Sequence, residues 1–153
     1  MDCYVAEVPG SVSLSAFVEV FYTTTLFKLE RMVLRWLTAR PSTDDEARQL
    51  ASGARVLFAA WRVEDRTVNE LLLADLTGRT RSWLMASPVN DDANGTRTRL
   101  YFGSAVVPKA NATTGSRNLG FAFHVLLDFH RVYSRALLRA ARSRLLAGSR
   151  AGA

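Results

Sequence analysis

The side chains best suited to chemistry at neutral pH are two histidines and the residues around them. His124 and His130 stand six apart on a segment of helical periodicity, so they project from different faces and cannot share a metal ion. His130 falls at the margin of the apolar face, with Ser134 one turn later. An imidazole there suits a general acid or base at a pocket mouth. It equally suits a structural histidine bonded to Ser134 or a carbonyl, and both readings stay open. Taken at 100° per residue, His124, Asp128, Arg131, Arg135, Arg139 and Arg142 occupy one arc of roughly 80°. A charged arc of this kind is expected to be solvated. Its other uses are an anion site or a protein-interaction module.

A second cluster holds Glu70, Arg79, Arg81 and Trp83. A reversal at Thr77-Gly78 sets Leu72 opposite Trp83, Ala74 opposite Arg81 and Glu70 opposite Met85, which places these side chains on one sheet face. Apolar walls with a carboxylate and guanidinium groups suit a pocket for an amphipathic acid, and Tyr101 joins that wall in one register. The alternative has the arginines edging the sheet in solvent while Trp83 and Met85 enter the core.

Much is excluded. Cys3 is the single cysteine, so neither an internal disulfide nor a thiolate cluster is possible. Histidine pairs at metal-binding spacing, a nucleophile elbow and glycine-rich phosphate loops are missing, which argues against metal, hydrolase and nucleotide chemistry. No cofactor is expected. The net charge of +6 lies wholly in residues 117–153, where seven arginines face Asp128 alone. That segment lacks interleaved aromatic platforms, so nucleic acid is not expected as a partner. The apolar region 16–37 is interrupted by Glu19, Lys28, Glu30, Arg31 and Arg35, too many charges for a membrane span. The first residues do not resemble a signal peptide, and a cytoplasmic location is the expectation. A homodimer remains an option.

The elements that must position these residues follow from periodicity. A strand over 4–8 stops at Pro9-Gly10. Helical spacing from 14 to 37 is broken by Thr23-Thr24-Thr25, which predicts two pieces. Ser42 or Thr43 caps a short helix that Gly53 closes. Strands are expected over 55–64, 67–76, 79–86 and 96–107, with reversals at 64–66 and 77–78 and a polar loop over 87–95. A long helix is predicted over 121–146, burying Leu126, Phe129, Tyr133, Ala136, Leu137 and Ala140.

The expected fold is therefore α+β. It is helix-grip-like, an antiparallel meander of about five strands packed against a long C-terminal helix, with N-terminal helices between the first two strands. Residues 1–153 read as one domain whose tail from about 148 is expected to be disordered. Three segments carry a family resemblance: 69–75 (Asn-Glu-Leu-Leu-Leu-Ala-Asp), 79–85 (Arg-Thr-Arg-Ser-Trp-Leu-Met) and 127–138, which holds Phe129-His130-Arg131. On these the chain resembles the START/polyketide-cyclase-like superfamily, within it an uncharacterised bacterial family. The resemblance implies a pocket for an apolar or amphipathic small molecule between the last helix and the sheet. Some relatives are cyclases or hydratases, which leaves a proton-transfer enzyme using His130 as the alternative. The residues expected around a ligand are Trp61, Glu70, Arg81, Trp83, Tyr101, Phe129, His130 and Tyr133.

Overall fold

Strand β1 (Asp2–Pro9) leads through Gly10 into helix α1 (Leu14–Tyr22), whose first turn is capped by the Ser13 hydroxyl accepting from the Ala16 N–H at 3.2 Å. The computed structural model describes residues 2–28, 42–76, 78, 80–91, 95–106 and 119–151, with side chains for 2–28, 42–76, 78, 80–89, 96–105 and 132–148. The threonine triplet breaks the helix as its β-branched residues predict. Thr23 and Thr24 leave helical geometry, and the Thr24 hydroxyl accepts from the Phe27 N–H at 3.2 Å, starting a second helical turn over 25–28. The expected continuation to 37 lies outside the described residues.

Helix α2 (Asp44–Ser52) begins with a capping box in which Thr43 and Glu46 satisfy each other's backbone N–H groups. It ends at Gly53 in the left-handed region at φ 85°, where a side chain would be strained. Arg66 reaches back to donate to the Leu50 carbonyl at 2.7 Å and to that of Ala51, satisfying two carbonyls of its last turn.

The sheet has six strands where five are expected. The 55–64 segment folds on itself as β2 (Leu57–Phe58) and β3 (Trp61–Arg66), with Phe58 opposite Trp61. The reversal carries no Asn-Gly or Asp-Gly signal. It rests on Ala59 at φ 51°, a conformation alanine seldom adopts. The next reversal comes after β3, not at 64–66. The register shifts between Val63 and Asp65 in a bulge, and Thr67 turns the chain by accepting from the N–H groups of Asn69 and Glu70.

β4 (Glu70–Asp75), β5 (Thr80–Asp91) and β6 (Gly95–Val106) complete an all-antiparallel sheet of order β1-β6-β5-β4-β3-β2. Most of the expected 87–95 loop is strand, because β5 and β6 run past the end of β4. Pro88 is tolerated because the Ala86 N–H points toward β4, bonding Asn69 at 3.0 Å; two residues on, the same edge has no strand beside it.

Helix α3 (Leu119–Ala151) lies against β1 and α1, giving a helix-grip-like arrangement. Its buried stripe is Ser134, Leu137, Leu138 and Ala141, rotated by about one residue from the expected one. Part of the arginine arc fastens it. Arg142 donates to the Glu7 carbonyl of edge strand β1 at 2.8 Å, and the Arg135 guanidinium sits 5.5 Å above the Tyr4 ring. Arg144 caps the end of α1 through the Thr23 carbonyl at 2.7 Å. Among the described residues no helix is long and apolar enough to cross a membrane.

Candidate functional site

The inner face of the sheet, under the helices, carries Leu71, Leu73, Leu84, Leu100 and Phe102, all buried. Above them Phe21 packs 4.8 Å from Phe102, and Tyr22 meets Phe27 edge-to-face at 4.7 Å. These rings stop short of filling the space beneath α3. They leave a cleft walled by Phe21, Tyr22, Phe27, Trp61 and Phe102 on one side and by Tyr133, Ser134 and Leu137 of α3 on the other. It is partly open. Atom-free space there, open solvent at its mouth included, totals about 350 Å³, and the centres of water-sized spheres can occupy about 40 Å³. That inner room exceeds the roughly 10–15 Å³ one water needs, yet falls well short of the roughly 300 Å³ of an ordinary ligand pocket.

Several residues of this apolar cleft carry polar side-chain atoms. Ser82 and Ser104, directly opposite one another on β5 and β6, line its floor. The indole Nε1 of Trp61 and the hydroxyl of Ser134, the latter 1% exposed, are both buried without a hydrogen-bond partner. Folded proteins pair about nine in ten such groups, so two orphans on one cavity set it apart. No acidic or basic side chain lines it among the described residues.

Of the eight residues expected around a ligand, the structure brings Trp61 and Tyr133 together here. Glu70, Arg81, Trp83 and Tyr101 are placed elsewhere. The expected register holds, with Glu70 opposite Met85, Leu72 opposite Trp83 and Ala74 opposite Arg81. These side chains nevertheless alternate with buried Leu71, Leu73 and Leu84, so they point to the outer face, which none of the described helices covers. There Arg81 makes a two-pronged pair with Glu64, both contacts 2.9 Å, and Trp83 donates to Glu70 at 2.9 Å. Arg99 donates twice to Glu7, and that hydrogen bond, then the one with Tyr101, raises its pKa above the ordinary value. Among the described residues, the guanidinium groups of Arg81 and Arg99 are already paired with carboxylates.

A notch of about 160 Å³ beside Trp83 is roomier than the inner void. Arg66, Thr67 and Glu70 around it already serve the Leu50 carbonyl, the 69–70 backbone and the Trp83 indole, so it asks for less. The side chains of Arg79, Phe129 and His130 lie outside the described residues. Among the described residues no group of three or more His, Cys, Asp and Glu could hold a metal ion.

Sequence reasoning missed Phe21, Tyr22, Phe27, Ser82 and Ser104 as cleft residues, and named Ser134 only as a neighbour of His130. A signal for two of the serines existed, since the register that puts Trp83 on one face puts Ser82 on the other, opposite Ser104. Comparison with protein-family models, with curated proteins and with solved structures returns no match.

Proposed function

We propose that this domain binds a small apolar or amphipathic molecule in the cleft between α3 and the sheet. The observation that carries this reading is the pair of buried, unpartnered polar atoms, Trp61 Nε1 and Ser134 Oγ, on one aromatic-walled cavity. Leaving a buried donor or acceptor unmade costs on the order of 1–3 kcal/mol, a burden a fold keeps where something else completes the bond. The aromatic walls favour the apolar part of a guest at about 25 cal/mol per Å² buried.

The test is titration of the protein with 1-alkanols, 2-alkanones and fatty acids of four to ten carbons, followed by indole emission and by melting temperature. At least one series is expected to give a saturable emission change with a rise in melting temperature, since a ligand of the native state stabilises it. No saturable response from any member overturns the reading.

A further inference from the structure

We infer that the guest in this cleft is electrically neutral and presents an oxygen that accepts a hydrogen bond from the Trp61 indole, an inference that rests on the cleft being a binding site. An indole N–H can only donate, so its partner must be an acceptor, and an ammonium group cannot satisfy it. The second orphan, the Ser134 hydroxyl, donates or accepts and so suits an alcohol or a carbonyl alike. An anion would also accept, but among the described residues that line the cleft it would meet no counter-charge. No acidic or basic residue lines the cleft among the described residues, and three described arginines of neighbouring elements are engaged elsewhere: Arg81 with Glu64 on the opposite face, Arg144 on the Thr23 carbonyl, Arg135 over Tyr4. An unpaired charge among aromatic rings is strongly disfavoured. The inner room of about 40 Å³ admits a hydroxyl or carbonyl with its first carbons, the remainder following the cleft toward its open side.

Ligand-detected NMR titration of the full chain with 1-hexanol, hexanoate and hexylammonium at pH 7.5 tests this. Hexanol is expected to bind at least about tenfold more tightly than either ion, a difference of 1.4 kcal/mol. Ser134→Ala and Trp61→Phe are each expected to weaken hexanol about three- to tenfold. Should Trp61→Phe fail to fold, Ser134→Ala carries the test, since it deletes a single atom. Hexanoate or hexylammonium binding as tightly as hexanol, or hexanol binding unweakened in the variants, overturns the inference while the cleft stands as a site. If none of the three compounds binds, the reading of the cleft falls and this inference with it.

Discussion

Trp83, on the sheet face that the described helices leave bare, donates its indole N–H to Glu70 at 2.9 Å, whereas Trp61, on the helix-covered face, buries its N–H with no partner. The same side chain thus meets two fates on two sides of one sheet. On the outer face the ionic groups pair off, Arg81 with Glu64 and Arg99 with Glu7, and the Trp83 ring lies 6.0 Å from that of Tyr101. Such a surface is complete without a guest. The inner face packs aromatic rings closely and then leaves a small void edged by orphaned polar atoms. The two faces thus differ in whether their described polar groups have found partners.

The contrast in packing is the easiest to break. Phe21 is 1% exposed and touches the rings of Phe17, Tyr22, Phe27 and Phe102, so Phe21→Ala is expected to cost about 3–5 kcal/mol in denaturant unfolding. Leu72→Ala, on the half-buried outer face, is expected to cost about 1 kcal/mol. Equal losses at the two sites would mean that something covers the outer face in solution.

A smaller effect probes whether the outer face is ordered. Gly103 lies opposite Trp83, and a Cβ built there would come within 3.0 Å of the indole, closer than ordinary van der Waals contact. Gly103→Val is expected to lose about 1–3 kcal/mol by displacing the ring, and most of that loss is expected to vanish in a Trp83→Ala background. Simple additivity of the two substitutions, read from denaturant midpoints, would show that the indole is not held where Glu70 places it.

The sequence disclosed local events better than it disclosed which side of the sheet is covered. Thr43 and Gly53 act as caps because capping needs only local backbone and side-chain groups. The β4–β5 register followed from one short turn, and every pairing expected across it is present. What could not be read is the side on which the helices lie. Both faces of these strands are apolar, Leu71, Leu73 and Leu84 against Leu72, Trp83 and Met85, so alternation alone does not separate inside from outside. The wall expected from Glu70, Arg81, Trp83 and Tyr101 does assemble, on the sheet face opposite the cleft. The sequence presents Ser134 only as a neighbour of His130, because the stripe expected beside it is turned by about one residue from the buried one.

The finest distinction concerns two buried hydroxyls. Thr98, 2% exposed, donates to the Gly10 carbonyl at 2.8 Å and accepts from the Val12 N–H at 2.9 Å, so Thr98→Val breaks two bonds that hold the β1–α1 connection. It is expected to cost about 1–2 kcal/mol. Ser134→Ala removes a hydroxyl that bonds nothing and introduces a better helix former, so the unliganded protein is expected to gain up to about 1 kcal/mol in the same unfolding measurement. A gain in stability joined to a loss of hexanol affinity is the signature of a residue kept for a guest, since a structural hydroxyl would lose on the first count and leave the second unmoved. A loss of stability at Ser134 would instead mean that ordered water completes its bonds, and the void would then be a hydration site.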